Sequence, residues 1–213
     1  MTRGLLVLGC GGHGRVVADA AAECGYTRFA FLDDAPAASG ESVLSGPVIG
    51  PMAMLEQLVR DWSAAIVAVG NCGVRLGLFE RLRRAGFQTP SIVHPSAVIS
   101  RNAEIGNGVF VAAAAVVNVG AKIGEATIVN TGARIDHDCD IGSGCHIAPG
   151  ATLSGGVTVG ARTWLGTGCA VRQGVTIGAD VLVGIGAAVV SDLDAGKTYV
   201  GVPARVHTKQ LNG

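Results

Sequence analysis

The sequence predicts a small α/β, Rossmann-like domain over residues 1–92, then a parallel β-helix over residues 93–213 that includes a C-terminal tail. Three observations carry this prediction. Near the start, a glycine-rich turn joins a strand pattern to a helix pattern, and strand and helix patterns alternate after it. From residue 93 onward, an aliphatic residue stands at every sixth position. Alternating strands and helices favour a parallel sheet covered by helices, and a short fixed repeat favours a stacked coil.

The first 92 residues predict the elements of a small parallel sheet. Strand patterns cover residues 4–9, 28–32 and 65–69, and helix patterns cover residues 15–24, 52–60 and 74–85. The junction with the repeats lies at His94-Pro95, because proline disfavours a helical conformation in the residue before it. We therefore expect the second domain to begin next to this proline.

A Gly-x-Gly-x-x-Gly motif that begins at Gly9 joins the first strand to the first helix, and Asp33-Asp34 follows the second strand. The motif matches the dinucleotide fingerprint, in which glycines let the backbone approach a phosphate at a helix N-terminus. The domain is too short for two mononucleotide-binding halves, so we expect one nucleotide diphosphate and no nicotinamide cofactor. A tight turn without a ligand is the alternative, although His13 at the helix start favours a ligand.

The aliphatic repeat runs through 17 hexads without a break. Neither a helix nor an alternating strand would select every sixth residue alone, whereas a coil with three sides of six residues brings each such residue to the inside. The repeat thus predicts between five and six coils and a prism about 27 Å long. The anchors are Val93, Ile99, Ile105, Val111, Val117, Ile123, Val129, Ile135, Ile141, Ile147, Leu153, Val159, Leu165, Val171, Ile177, Val183 and Val189.

Two further positions of the hexad predict how the coils stack. Four residues after an anchor comes a small or β-branched residue, such as Ala115, Ala133 or Cys145, which suits a narrow interior. Glycine often follows the anchor directly, and we expect these glycines at corners where the backbone bends with positive φ. They are Gly106, Gly124, Gly142, Gly160, Gly166, Gly178 and Gly184.

The most polar stretch of the repeats surrounds His137, which lies between anchors and should therefore point outward. Asp136 and Asp138 flank it. Neighbouring carboxylates stabilise the imidazolium and fix the tautomer of the neutral ring, as a general base requires. A solvated surface histidine among acids is the alternative. His146 follows half a coil later and either lines the same cleft or is exposed.

The composition excludes several classes of partner. The formal net charge is zero and no basic run occurs, so the electrostatic footprint of a nucleic-acid or membrane-surface binder is missing. The first residues lack a signal-peptide pattern, and no stretch approaches the roughly 20 apolar residues of a membrane span. We predict a cytoplasmic protein that binds neither nucleic acid nor a membrane. The six cysteines include no CxxC pair, and we expect them to be reduced and structural.

Several motifs stand in a fixed order along the chain. They are Gly-x-Gly-Gly-His-Gly near the start, Leu32-Asp33-Asp34, the hexads, Asn130-Thr131, Ile135-Asp136-His137-Asp138-Cys139, His146, Ser154-Gly155-Gly156 and Gly201-Val202-Pro203-Ala204-Arg205. This set resembles, over nearly the whole chain, the hexapeptide-repeat acetyltransferases of nucleotide-linked amino sugars, relatives of the sialic acid O-acetyltransferases. The resemblance implies a left-handed β-helix and a homotrimer. It also implies acetyl-CoA in the groove between adjacent prisms and an active site shared between subunits.

The resemblance also implies a role for each matching residue. His137 would be the general base, and Asp138, where the family often has Glu, would orient its ring. The backbone N–H of Gly155 would stabilise the tetrahedral oxyanion, an interaction worth about 3–4 kcal/mol. The acceptor would contact Gly11, Gly12, His13, Asp33, Asp34, Asn130 and His146, and acetyl-CoA would contact His146, Gly155, Gly184 and Gly186.

We therefore predict an acetyl-CoA-dependent N-acetyltransferase, without a metal, that acts on the 4-amino group of a nucleotide-linked 4-amino-4,6-dideoxy sugar in surface-glycan biosynthesis. O-acetylation of sialic acid or a related sugar is the alternative, because both reactions use the same base and oxyanion donor. A zinc enzyme with His94, His137 and His146 as ligands would lack the close histidine pair of prism-type carbonic anhydrases. A catalytically silent binding protein is a further alternative.

Overall fold

The first domain of the computed structural model, which describes residues 3–35, 42–43 and 46–208, is a five-stranded sheet with two α-helices. Its elements are β1 (Gly4–Leu8), α1 (Gly12–Glu23), β2 (Arg28–Leu32), β3 (Ser42–Val43), β4 (Gly46–Gly50), a 3₁₀ helix (Met52–Gln57), β5 (Ala65–Val67) and α2 (Cys72–Ala85). The strand order is β3-β4-β2-β1-β5, and all pairs except β3–β4 are parallel. The predicted parallel sheet is confirmed, but β4 was missed because Gly46-Pro47 disfavours a strand.

Both α-helices begin earlier than the sequence pattern indicates. Helix α1 begins at Gly12, within the glycine turn, because a Cβ on Gly14 would overlap the Gly9 carbonyl and only glycine lets the first helical turn approach β1. Helix α2 begins at Cys72, where the side chain of Asn71 accepts a hydrogen bond of 3.0 Å from the backbone of the third residue after it. Such an N-cap satisfies a donor that the helix itself leaves unpaired. The glycines of the motif are therefore part of the helix start.

The segment that the sequence predicts as a helix over residues 52–60 is a 3₁₀ helix that ends at Gln57. Its backbone bonds join residues three apart, for example Leu58 N–H to the Leu55 carbonyl at 3.1 Å. The buried residues are Met52 and Leu55, and a spacing of three places both side chains on one side of a 3₁₀ turn. The α-helix prediction for this segment was wrong.

The second domain is a three-sided parallel β-helix. Between residues 92 and 189, all of which are described, 17 strands of two residues follow one another, and each pairs in parallel with the strand one coil away. The strands are β6 (Ile92–Val93), β7 (Val98–Ile99), β8 (Glu104–Ile105), β9 (Phe110–Val111), β10 (Val116–Val117), β11 (Lys122–Ile123), β12 (Ile128–Val129), β13 (Arg134–Ile135), β14 (Asp140–Ile141), β15 (His146–Ile147), β16 (Thr152–Leu153), β17 (Thr158–Val159), β18 (Trp164–Leu165), β19 (Ala170–Val171), β20 (Thr176–Ile177), β21 (Leu182–Val183) and β22 (Ala188–Val189). Two more strands, β23 (Thr198–Val200) and β24 (Arg205–Val206), follow them. Residues 209–213 of the predicted tail lie outside the described residues.

The strands form three faces, which we name A, B and C. Face A contains β7 and every third strand up to β22, face B runs in the same way from β8 to β20, and face C runs from β6 to β21 and continues into β23 and β24. The second residue of each strand is a predicted anchor, and every anchor from Val111 to Val189 is buried. This confirms that the hexad anchors fill the interior of the prism.

The three outer faces differ in chemistry. Face C carries Phe110 and Ile128, which are buried against the first domain. Face B carries exposed polar side chains such as Glu104, Lys122 and Asp140. Face A is left uncovered by the first domain and carries mainly apolar or small side chains. Its outward residues are Val98, Val116, Arg134, Thr152, Ala170 and Ala188.

The corner glycines act differently from the prediction. Positive φ occurs three residues after an anchor, as at Gly132 (φ 64°) and Gly156 (φ 69°), and not at the glycines that directly follow an anchor. A Cβ on one of the latter, Gly142, would lie 2.6 Å from the backbone N of Ala161 and 2.9 Å from its Cα. These glycines therefore allow adjacent coils to approach, and the prediction of positive φ for them was wrong.

Two apolar clusters join the domains. On one side of the sheet, Val17 of α1 packs in a cluster with Phe110 and Ile128 of the prism. On the other side, Phe79 of α2 belongs to a cluster that includes Ala126. Within the described residues, no helix is long and apolar enough to cross a membrane.

We expect Gly142→Ala to destabilise the protein by about 1–3 kcal/mol, because the new methyl group overlaps the next coil and the coils must separate. Gly77→Ala is the control: Gly77 is exposed in α2 with no atom near its missing Cβ, and this change should stabilise the helix by about 1 kcal/mol. Unfolding by guanidinium chloride measures both effects. Equal midpoints for wild type and Gly142→Ala would contradict the close-approach role.

Candidate active site

His137 lies in the corner between faces A and B, with a carboxylate on each side. Its Nδ1 is 2.9 Å from Oδ2 of Asp138. Its backbone N–H donates to Oδ1 of Asp136 at 2.9 Å, and Asn118 Nδ2 donates to the same oxygen at 2.8 Å. Because Nδ1 faces a carboxylate, the neutral ring carries its proton on Nδ1 and leaves Nε2 as a proton acceptor. The side chain is 57% exposed, so Nε2 is open to a substrate.

The carboxylates make this imidazole more basic. The hydrogen bond with Asp138 is the largest cause that raises the pKa of His137, and the charge of Asp136 is the next. The pKa of Asp136 is itself lowered, first by the Asn118 hydrogen bond and then by the His137 backbone N–H. A fixed tautomer and raised basicity together suit the ring to accept a proton.

Two glycines make room for this pair. A Cβ on Gly155 would overlap the His137 ring at Cε1 and Nε2, and a Cβ on Gly120 would overlap the Asp138 carboxylate. Asp138 has a φ of 58°, a left-handed conformation that Asp tolerates better than most residues. The Gly155 backbone therefore lies beside the reactive edge of the imidazole, where the sequence predicts an oxyanion donor.

A second polar cluster lies where α1 meets face C. Asn130 Nδ2 is 3.1 Å from His146 Nε2, and Asn130 Oδ1 accepts the Thr131 backbone N–H at 2.8 Å. Since an N–H can only donate, this bond fixes the orientation of the amide, so Nδ2 donates to Nε2 and the neutral His146 ring carries its proton on Nδ1. The His13 ring centroid lies 6.3 Å from that of His146.

Two nitrogens of this cluster lack partners. Nε2 of His13 and Nδ1 of His146 are buried and have no hydrogen bond of acceptable distance and angle among the described residues, although the Gly70 backbone is close enough to the His146 ring to act on its pKa. Burial lowers the pKa of both rings to about 4, and Arg75 is the second cause for each. Both rings are therefore uncharged near neutral pH, whereas the pKa of His137 is shifted in the opposite direction. Buried unpaired polar atoms are rare in proteins, so these two nitrogens are candidates for contact with a polar ligand group.

Arg75 of α2 is the largest fully buried side chain and is 1% exposed. No carboxylate among the described residues pairs with it; its guanidinium donates to main-chain carbonyls at 2.7–2.9 Å. The carbonyls belong to Val69 and Gly70 in the first domain and to Ala126, Gly144 and Cys145 in the prism. The side chain therefore joins the loop after β5 to two turns of the prism.

Asp33 and Asp34 lie at the carboxyl end of β2. Asp33 accepts the backbone N–H of Cys10 at 2.8 Å and of Ala35 at 2.9 Å, one with each oxygen. Burial acts to raise the pKa of Asp33, but these N–H groups outweigh it and the pKa is lowered. Oδ1 of Asp34 accepts the Met52 N–H at 2.8 Å, and its Oδ2 has no hydrogen bond within the part of the chain that the structure describes. Asp33 therefore stabilises the turn, and Asp34 keeps an oxygen for a ligand.

The glycines of the two predicted binding regions have different surroundings. Gly11 precedes α1, which has neither a side-chain cap nor an acidic residue in its first turn, so the N–H groups of Gly12 and its neighbours face outward as an anion site requires. At the far end of the prism, a Cβ on Gly184 would lie 2.8 Å from Val200 Cγ1, and Gly186 has a φ of 65°. These two glycines serve packing and turning, and their contact with acetyl-CoA stays a prediction.

Within one chain, the predicted residues form two separate clusters. His137 with Asp138 and Gly155 lies at the corner of faces A and B, and Asn130 with His146 lies where face C meets face A. No hydrogen bond or ring contact among the described residues joins the two clusters. His146 therefore does not line the His137 cleft of its own chain.

The zinc alternative finds no support in one chain. Nδ1 of His94 is 2.8 Å from the Ser96 hydroxyl at the start of the prism. The described ranges contain no group of three or more His, Cys, Asp or Glu residues placed to hold a metal ion.

Sequence reasoning missed Arg75 and Trp164. The Trp164 ring packs edge-on against His146 at 6.2 Å. Arg75 stands at helical spacing with the apolar residues Leu78, Phe79 and Leu82 of α2, all buried. A charged residue on an apolar stripe was the available signal.

The chain is similar to family models in both domains. The model described as PglD N-terminal domain matches residues 4–82, and the model described as bacterial transferase hexapeptide (six repeats) matches residues 120–155. UDP-N-acetylbacillosamine N-acetyltransferase of Bacillus subtilis (strain 168) is 37% identical over 116 residues. That match spans 52% of each chain, so the chain covers about half the length of this relative.

Two solved structures align over nearly the whole chain. A mutant of perosamine N-acetyltransferase from Caulobacter crescentus, in complex with CoA and GDP-perosamine, is 40% identical with a TM-score of 0.93 and 97% coverage of each chain. The acetyltransferase domain of PglB from Neisseria gonorrhoeae FA1090, in complex with acetyl coenzyme A, is 42% identical with a TM-score of 0.92, covering 97% of this chain and 100% of that one. The second domain is accordingly the left-handed parallel β-helix of these proteins. The chain belongs to the hexapeptide-repeat N-acetyltransferase family that includes them.

Proposed function

We propose that this protein transfers the acetyl group of acetyl-CoA to the amino group of a nucleotide-linked amino sugar. The observation that carries the proposal is the His137–Asp138 pair, whose unprotonated Nε2 lies beside the Gly155 backbone. Near full-length similarity to structures that hold CoA and GDP-perosamine supports the class of both substrates. A 4-amino-4,6-dideoxy sugar, a place in surface-glycan biosynthesis and a cytoplasmic location stay predictions.

In this proposal, His137 acts as the general base. Its Nε2 accepts a proton from the acceptor amine while the amine nitrogen bonds to the thioester carbonyl carbon, a contribution of about 100- to 10,000-fold. The Gly155 N–H stabilises the negative oxygen of the tetrahedral intermediate by about 3 kcal/mol. When the carbon–sulfur bond breaks, the proton on Nε2 passes to the leaving sulfur. The products are the amide and CoA, and His137 returns to its neutral form.

The first domain is proposed to hold the nucleotide. The N–H groups at Gly11 and Gly12 suit the diphosphate, and the available oxygen of Asp34 suits a hydroxyl or N–H group of the nucleoside. Because both carboxylate oxygens of Asp33 accept backbone N–H groups, from Cys10 and Ala35, we propose that Asp33 stabilises the turn and does not bind the nucleotide. The unpaired nitrogens of His13 and His146 would then face the sugar.

We propose a homotrimer in which face A lies toward the threefold axis. Face A is uncovered, and its outward side chains are uncharged except for Arg134, whereas an interface core disfavours the charges of face B. The two polar clusters lie at the two edges of face A. Around a threefold axis, the His137 corner of one subunit meets the Asn130 and His146 corner of the next. Acetyl-CoA would lie in that groove and extend toward Gly184 and Gly186.

We expect His137→Ala to lower kcat by about 100- to 10,000-fold, because the proton acceptor is lost. A thiol-release assay with acetyl-CoA and UDP-, GDP- and dTDP-linked 4-amino sugars measures the rate. His94→Ala, which removes a half-buried histidine outside both polar clusters, is the control and should be fully active. If free sialic acid is the only acceptor that is turned over, the reaction is O-acetylation and the proposal is wrong. If no acceptor is turned over, a binding protein without catalytic activity is favoured.

We expect Asp138→Asn to lower the plateau of kcat/KM and to shift its acidic limb to lower pH. The carboxylate raises the pKa of His137, so its removal lets the ring lose its proton, and become an active base, at a lower pH. Asp180→Asn is the matched control, since Asp180 is also a corner residue of the prism, with a φ of 56°. An unmoved acidic limb in Asp138→Asn would count against His137 as the titrating base.

We expect activity to be restored when subunits of two weakly active variants, His137→Ala and His146→Ala, are mixed during refolding. Each variant then supplies the histidine that the other lacks. Random assortment in a shared-site trimer makes about a quarter of the sites fully wild type. The measured quantity is the rate of the mixture divided by the summed rates of the separate variants. A ratio near one, with mixed trimers verified by mass, would mean that each chain completes its own site.

A further inference from the structure

We propose that Arg75 is a positioning residue for the acceptor site, where it holds His146 in place from both domains and adds a buried positive charge to the surroundings of the His13 and His146 rings. The proposal rests on the function proposed above, since it assigns Arg75 a part in that same site. Three features of the structure carry it: the saturated hydrogen bonding of the guanidinium, its direct link to the peptide before His146, and the charges around the two rings.

The guanidinium uses every donor it has. An arginine side chain carries five N–H groups; Arg75 donates one from Nε and two from Nη1 to main-chain carbonyls, and Nη2 donates to the carbonyls of Gly144 and Cys145 and also contacts Sγ of Cys72 at 3.5 Å. Buried cations are usually paired with carboxylates, and none pairs with Arg75 in the described residues. The carbonyl oxygens satisfy the N–H groups without cancelling the charge, so a net positive charge stays inside the protein.

These bonds reach the His146 imidazole through the backbone. Nη2 donates to the carbonyl of Cys145 at 2.9 Å, and this carbonyl belongs to the peptide group that continues into His146. Nη1 donates to the Gly70 carbonyl at 2.8 Å, and the Gly70 backbone interacts with the His146 ring. Arg75 therefore holds His146 from two sides, one in each domain.

The charges around the rings all favour the neutral forms. His13 faces Arg75, and His146 faces Arg75 and His13. The guanidinium itself faces the thiols of Cys72 and Cys145. Within the described residues, no carboxylate faces either ring. Desolvation is the largest cause of the lowered pKa of both rings, and the fixed cation of Arg75 adds to it by opposing their protonation.

An uncharged pair suits the proposed reaction because the acceptor amine attacks only as the free base. Neutral rings hydrogen-bond to the sugar without competing for the proton that His137 must take. The nearby cation also disfavours the ammonium form of the acceptor. Arg75 is thus expected to act through His13 and His146, without touching the reacting atoms.

The test is a titration of the histidine side chains by NMR in the ligand-free protein, with nitrogen-15 histidine, for wild type and Arg75→Met. We expect the midpoints of His13 and His146 to rise by about one pH unit or more in Arg75→Met, because the opposing cation is gone. Relative to wild type, we expect kcat/KM to fall more near pH 5 than near pH 8, since the raised midpoints bring protonation of the rings into the lower range. Unchanged midpoints in a folded Arg75→Met would overturn the proposal.

Arg83→Met is the matched control. Arg83 also belongs to α2 and also joins the domains, through an exposed salt bridge of 3.1 Å with Glu125, but it does not face the imidazoles. It should leave the histidine midpoints and the pH profile unchanged. A shift of the same size in Arg83→Met would assign the effect to loss of domain contact and contradict the proposal.

Arg75→Lys is the second test variant if Arg75→Met does not fold. An ammonium keeps the charge but has three donors instead of five. We expect low histidine midpoints and a kcat/KM reduced roughly tenfold to a hundredfold, because misplaced groups cost rate without a change of charge. Wild-type kinetics in Arg75→Lys would refute positioning. The NMR titration needs no turnover, so failure of the proposed function and failure of this assignment remain distinguishable.

Discussion

The period of the prism is the constraint on which the rest of the structure depends. Each coil takes 18 residues, so a corner residue lies directly against the residue 18 positions away. The polar contacts follow this rule: Asn118 binds Asp136, Gly155 lies beside His137, and Gly120 makes room for Asp138. The His137 ring, the carboxylates of Asp136 and Asp138 and the Gly155 backbone therefore each occupy a corner position that is repeated once in every coil. Glycines that directly follow an anchor maintain the stack by letting neighbouring coils approach.

The second determinant is the joint between the domains, where apolar contact and one buried cation combine. Val17 belongs to an apolar cluster that extends from the sheet onto face C, and Phe79 belongs to one that extends to Ala126 in a turn between faces B and C. Between these clusters, Arg75 binds carbonyls from both domains, so the loop after β5 keeps a defined distance from His146. The first domain therefore does more than carry the glycine turn. It supplies His13 and covers His146, and burial lowers the pKa of both rings, whereas the carboxylates raise the pKa of His137 at the corner away from the first domain.

The sequence predicted most of the fold because the hexad is a local rule that repeats: every anchor from Val111 to Val189 is buried. It also predicted His137 with its carboxylates, since adjacent residues determine that arrangement. Contacts between distant segments could not be predicted from the sequence. The backbone bonds that occupy Asp33 depend on the fold of the glycine turn, and the carbonyls around Arg75 come from three separate loops. The prediction for the glycines that follow an anchor was wrong because it considered only the backbone φ that glycine allows. It did not consider how close the neighbouring coil lies.

The period also limits how the length of this prism changes in evolution. A deletion of one residue in a coil would shift every later anchor out of the interior, whereas a gain or loss of one whole coil keeps all three corner columns in register. One added coil after Gly156 would leave the His137 corner intact and lengthen the prism by about 4.8 Å. Such a change would move β23 and β24 away from the first domain by the same step. The far end of the prism can therefore change in discrete steps of one coil while the corner keeps its chemistry.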